Sequence, residues 1–133
     1  MEKLIKTTGI FIGVGLLNTI IFTVYLSNTG LSGGEVGMVP LLIAMESGIA
    51  IVLSTVTYLL IRNRIVVTTI RVILTYQVVY FLTLIFSGVN PFDNDLTDTF
   101  KTLTQWIYLI SFLVTIGLIM TTKLIAGLRT NRG

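Results

Sequence analysis

Four stretches of this 133-residue chain are apolar for long enough to decide its fold. A helix needs about 20 mostly apolar residues to cross a ~30 Å hydrocarbon layer. In lipid each backbone amide and carbonyl must be paired within its own segment, so each stretch is committed to helix. The first runs from about Thr7 to Leu26 and the second from about Val39 to Ile61. The third runs from about Ile65 to Phe86 and the fourth from about Leu103 to Ile125. Pro40 opens the second stretch, where a first-turn position suits a residue without an N–H. A Gly/Ser/Asn-rich loop (27–37), an Arg62-Asn63-Arg64 turn and an acidic loop (87–102) with Asp93, Asp95 and Asp98 separate them. The expected fold is all-α, a four-helix transmembrane bundle making one integral membrane domain over residues 1–133.

Composition closes off the other classes. Only 11% of the chain is charged and 53% is hydrophobic, whereas a soluble domain uses about 25% charged residues. A soluble enzyme, a disordered tail and a disulfide-stapled secreted scaffold are excluded. The chain has no cysteine and no histidine. Zinc, haem and iron–sulfur centres therefore lose their usual ligands, and Ser–His or Cys–His nucleophiles cannot be assembled. No enzymatic activity, cofactor or resident metal is expected. The first stretch resembles a signal peptide, but it is too long for a typical apolar core and no A-x-A-like cleavage site follows it, so it reads as a retained span.

The formal net charge of +3 does not point to nucleic acid, because the basic residues follow a membrane pattern. Lys3, Lys6, Arg62, Arg64, Lys123, Arg129 and Arg132 fall at one face, with Arg71 within reach of it. Only Lys101 lies at the other face, together with Glu35 and the three aspartates. Positive charge marks the cytoplasmic side, so both termini are expected in the cytoplasm of a multi-pass protein of the cell membrane. Tyr25, Phe92, Trp106 and Tyr108 then form an outer aromatic belt. The two helical hairpins, offset by roughly 60 residues, read as a parallel repeat about an axis along the membrane normal.

Each span carries a polar residue far from its ends: Asn18, Glu46, Gln77 and Ser111. At 1.5 Å per residue these lie roughly 16 to 22 Å from the inner end, in a band about 6 Å thick. Polar groups at that depth face a bundle interior or a wet cavity. Glu46 reads as a proton-coupling site or a contact for a cationic or hydroxyl-bearing substrate. The competing structural reading is a protonated carboxyl bonded to Asn18 or Gln77, or one close enough to the outer face to reach water. Asn18 and Gln77 read as substrate contacts or as interhelical hydrogen-bonding groups worth roughly 1 kcal/mol or less each.

Arg71 lies about 9 Å into the third span, a distance its stem covers by snorkelling. Pairing it with Glu46 would require closing about 13 Å of depth, so no salt bridge is expected. With Arg62 and Arg64 it forms a cationic patch suited to a phosphate or an anionic lipid head, although orientation alone also explains these arginines. Gly9 and Gly13, and Ala44 and Gly48, have the small-x-x-x-small spacing that allows close helix contact or homodimerisation. The loop glycines have no phosphate-loop spacing, and the aspartates read as a solvated outer face.

The segment Phe11-Ile12-Gly13-Val14-Gly15-Leu16-Leu17-Asn18-Thr19 resembles the opening F-x-x-V-G-x-x-N-T of GtrA-like membrane proteins. The end of the second span, from Ser54 through Tyr58 to Arg62-Asn63-Arg64, is similar to that family's small-residue and aromatic stretch leading into an Asn-Arg pair. The likeness covers roughly residues 8–67. Departures are Ile65-Val66-Val67 where the family has a Trp or Phe pair, and Thr121-Thr122-Lys123 in place of its second Asn-Lys/Arg ending. Glu46 lies outside the family pattern. The resemblance implies four helices and translocation of a polyprenyl-phosphate-linked sugar, or an accessory role in cell-surface glycosylation beside a membrane glycosyltransferase. Asn18, Gln77, Arg62, Asn63, Arg64 and Arg71, with Glu46, would then contact the lipid-linked sugar. Two alternatives stand beside it: a small proton-coupled transporter using Glu46, and a non-transporting membrane partner such as an immunity or anchoring subunit.

Overall fold

The structure, a computed structural model, describes residues 2–31, 35–63, 68–95 and 97–130, apart from the side chains of residues 35, 36, 129 and 130. Four α-helices account for nearly all of it: α1 (Glu2–Asn28), α2 (Glu35–Ile61), α3 (Thr69–Phe86) and α4 (Asp98–Thr130). There is no strand among the described residues. All four helices contain stretches long and apolar enough to cross a membrane: Glu2–Asn28, Gly37–Ile61, Thr69–Phe86 and Asp98–Leu128. The fold is that of a multi-pass membrane protein.

The helices overrun the apolar stretches wherever the flanking residues still favour helix. α1 begins five residues before Thr7 and α4 five before Leu103, because a helix gains a backbone bond per residue whether or not lipid surrounds it. The same effect moves Pro40, expected in the first turn, into the body of α2, which starts at Glu35. Its missing N–H removes one helical bond. α3 departs the other way, beginning at Thr69 rather than Ile65. Thr68 takes the N-cap in an extended conformation, and its hydroxyl accepts from the Arg71 amide at 3.3 Å. Residues 65–67 of the expected span lie outside the described residues. The 18 residues of α3 give a length of about 27 Å, close to the hydrocarbon thickness.

α3 ends in a Schellman turn. Gly88 adopts φ +86°, its amide donates to the Ile85 carbonyl at 3.2 Å, and Val89 N–H reaches back to the Leu84 carbonyl at 2.9 Å. That conformation favours glycine, and the motif pairs the carbonyls a helix end leaves over.

Around the bundle the helices pack in the order α1, α2, α3, α4, with α1 also touching α3 across the middle. α2 and α4 hardly meet. The α1–α3 contact is thus the short diagonal, and it divides the interior into an α2 side and an α4 side. Phe11, Val14, Phe22, Ile43, Ala50, Ile73, Tyr76, Tyr80, Leu84 and Leu103 fill the shared core. Large apolar side chains such as Leu16, Leu41, Val52, Leu60, Val78 and Leu113 point outward, a surface suited to lipid rather than water.

Candidate functional site

The short diagonal separates two polar layers. On the α4 side, Ser111 and Thr115 stand one turn apart on the same face of α4. Asn18 Nδ2 donates to Ser111 Oγ at 3.0 Å and Gln77 Nε2 donates to the same oxygen at 2.8 Å. Ser111 Oγ donates in turn to Gln77 Oε1 at 3.1 Å. Thr115 Oγ1 donates to Gln77 Oε1 at 2.6 Å and lies 3.0 Å from the Ser111 carbonyl. One hydroxyl with one proton and two lone pairs thereby joins α1, α3 and α4 with its capacity filled. This buried clasp brings Asn18, Gln77 and Ser111 together. It also recruits Thr115, signalled in the sequence only by its spacing from Ser111.

The α2 side is built differently. Glu46 is 7% exposed, and its Oε2 has no hydrogen-bond partner. The amide nitrogens of Asn18 and Gln77 are directed at Ser111 instead. Tyr80 lies within electrostatic reach of Glu46. Next to Glu46, Ser47 faces α1, where its Oγ is 3.5 Å from Thr19 Oγ1. Gly15 lies at the same junction: a Cβ there would stand 2.8 Å from the Tyr76 hydroxyl and 3.5 Å from Ser47 Cβ. The Tyr76 hydroxyl, Ser54 Oγ and Asn18 Oδ1 are buried without partners, like Glu46 Oε2. Tyr76 stacks on Tyr80 (5.9 Å between centroids, 9° between planes) and on Phe11 (6.1 Å, 26°).

The cationic residues lie apart from both layers. Arg62, Asn63 and Arg71 are exposed, and the Arg62 amide continues the α2 pattern by donating to the Tyr58 carbonyl at 2.9 Å. Arg64 lies outside the described residues. Glu46 Oε2 receives no guanidinium, as the depth difference from Arg71 anticipates. Neither small-residue pair makes a close contact within the chain. A Cβ at Gly9, Gly13 or Gly48 would meet nothing within 4 Å, and Ala44 is exposed. The glycine that lets helices close together is Gly15.

Ser47, next to Glu46 on α2, and Tyr76 and Tyr80, four apart on α3, complete the α2-side layer, while Ser54 lies about 12 Å beyond Glu46 along α2. Their spacing is visible in the sequence, but a serine or tyrosine inside an apolar run does not announce which face is inward. Among the described residues no group of three metal-ligating side chains occurs. Fold and interior define a four-helix membrane protein with a hydrogen-bonded clasp on one side and an unpartnered buried carboxyl oxygen on the other. Neither the family models, the curated proteins nor the solved structures yield a match.

Proposed function

We propose that the protein is a small membrane transporter that couples passage of a polar solute to proton exchange at Glu46. The observation that carries this reading is the unpartnered Oε2 of a buried glutamate on a membrane-spanning helix. Ionised carboxyls without partners are costly in such surroundings. Coupling requires a carboxyl at such a position whose contacts change during passage. The titratable side chains that face this layer are Tyr76 and Tyr80 of α3. α1 contributes Gly15 and Thr19, which do not titrate. Under this reading the basic end faces the cytoplasm, and the solute crosses along the α2 side or between two copies of the chain.

Proteoliposomes with an imposed pH gradient and an internal pH dye test it against a panel of amines, sugars and carboxylic acids. At least one solute class is expected to release protons through the wild-type protein, and Glu46→Gln to remove that release. Wild-type behaviour in the variant would sink the reading.

A second reading is favoured by the exposed Arg62 and Asn63 at the end of α2 and the exposed Arg71 in the first turn of α3. Such a patch suits the phosphate of a polyprenyl-linked sugar, as the resemblance over residues 8–67 implies. Here Arg62→Ala lowers translocation of labelled polyprenyl-phosphate sugar in vesicles and Glu46→Gln leaves it unchanged. The opposite pattern favours the proton-coupled reading.

A further inference from the structure

We infer that the α2-side layer binds a primary or secondary ammonium ion carrying an apolar group, held by Glu46 and the Tyr76–Tyr80 rings. The inference rests on the reading of Glu46 as the working group and names the class of solute it takes.

The sign of the ligand follows from the buried side chains. Among the described residues these include one acid, Glu46, and no lysine or arginine; the rest of the polar set is serine, threonine, asparagine and glutamine. A cation complements this interior, whereas an anion would enter with no countercharge. A structural metal ion is poorly served by a single carboxylate, since hard cations take about six or more oxygen ligands.

The hydrogen-bonding deficit then selects among cations. On this side of the bundle Glu46 Oε2 is a buried acceptor without a donor. That oxygen lacks an N–H or O–H partner, which a primary or secondary ammonium supplies and a quaternary ammonium or an alkali ion does not. The stacked pair Tyr76 and Tyr80, extended by Phe11, forms a buried aromatic wall, and Tyr80 lies within electrostatic reach of Glu46. Such walls attract ammonium groups and accept apolar substituents.

In this inference the ligand enters by displacement of α2. Ser47 of α2 stands 3.5 Å from the Thr19 hydroxyl of α1 and beside the Tyr76 and Tyr80 hydroxyls of α3. The other three helices are joined by the Ser111 clasp. Separating α2 therefore opens the layer without breaking the clasp.

Equilibrium dialysis of labelled 2-phenylethylamine against the protein in lipid nanodiscs tests the inference. Wild-type protein is expected to bind it saturably, with 3-phenylpropanoate, Na⁺ and phenethyltrimethylammonium competing poorly. Glu46→Gln should weaken binding by about 100-fold and Tyr80→Leu by about tenfold, in line with a lost charge pair and a lost cation–π contact. Glu46→Asp, which keeps the charge, and Thr115→Val, on the α4 side, should retain binding, and helicity and melting temperature verify that each variant is folded. Absence of saturable binding by folded wild-type protein overturns the inference. So does equal binding by Glu46→Gln, or equal competition by Na⁺. Glu46-dependent binding without proton movement supports the ligand class while removing the transport reading. Glu46-dependent proton movement with another solute, and no amine binding, does the reverse.

Discussion

The Tyr76 hydroxyl occupies the space that a side chain on Gly15 would need, with only 2.8 Å between it and an ideal Cβ. Glycine is thus required on α1 at the level where α1, α2 and α3 converge. Because Ile51 Cδ1 would lie 3.3 Å from the same Cβ, an added methyl meets both neighbouring helices.

Gly15→Ala is therefore expected to destabilise the bundle by about 1–3 kcal/mol, the usual cost of overpacking a close-packed interior. Adding Tyr76→Phe removes the oxygen that the methyl strikes and should recover part of the loss. Unfolding of both variants in mixed micelles measures this. A Gly15→Ala protein as stable as wild type would show that α1 and α3 approach less closely than the structure gives.

Ser111 tests the clasp. Ser111→Ala leaves two buried amide groups, on Asn18 and Gln77, without the oxygen they share. The expected loss is about 1–2 kcal/mol, because hydrogen bonds in membranes average below 1 kcal/mol each but two donors are orphaned at once. A double-mutant cycle with Asn18→Ala should give a coupling of roughly 0.5 kcal/mol or more. Thr23→Ala serves as the comparison, since the Thr23 hydroxyl bonds only to its own helix and is exposed, and it should change stability little.

How much of this could be read from the sequence depends on the kind of signal. The four spans follow from length and hydropathy, since lipid leaves the backbone no other choice. Helical rise alone placed Asn18, Gln77 and Ser111 at one depth, and the structure joins all three. Rise fixes depth and says little about direction, so it placed Glu46 in the same band without showing that it faces away from the clasp. Facing is hard to read here because the lipid side and the core side of each helix are both apolar. Gly9 and Gly13 fit a packing motif yet point outward, whereas Gly15, two residues on, faces Tyr76. Helix ends were misplaced for a related reason: hydropathy marks where lipid begins, while capping by Thr68 and Gly88 marks where the helix starts or stops.

Beyond the membrane interior, Tyr108 ties the loop after α3 to α4, its hydroxyl donating to the Val89 carbonyl at 2.8 Å. Its ring also packs on Phe81 at 4.9 Å. Tyr108→Phe keeps the ring contact and removes the hydrogen bond, so a stability loss of about 1 kcal/mol is expected. The effect should be local. Proteolysis within residues 89–95 should quicken in the variant while cleavage near residue 62 stays at the wild-type rate. A uniform change at both ends would show that the bond stabilises the whole bundle.

The contrast between the two layers yields the last prediction. α1, α3 and α4 share a hydrogen-bonded clasp, and α2 is held mainly by apolar packing and by the Thr19–Ser47 contact at 3.5 Å. If solute reaches Glu46 by displacement of α2, fixing α2 to α1 must stop the cycle. The chain has no cysteine, so a Thr19→Cys/Ser47→Cys pair introduces a single defined crosslink, and the hydroxyl separation it replaces is within reach of a disulfide after small side-chain rotations. Oxidation should abolish proton-coupled movement and reduction restore it. The single Thr19→Cys variant has no partner thiol and should keep the cycle running under the same oxidation. Full activity with α2 locked to α1 would show that the moving element lies elsewhere in the bundle.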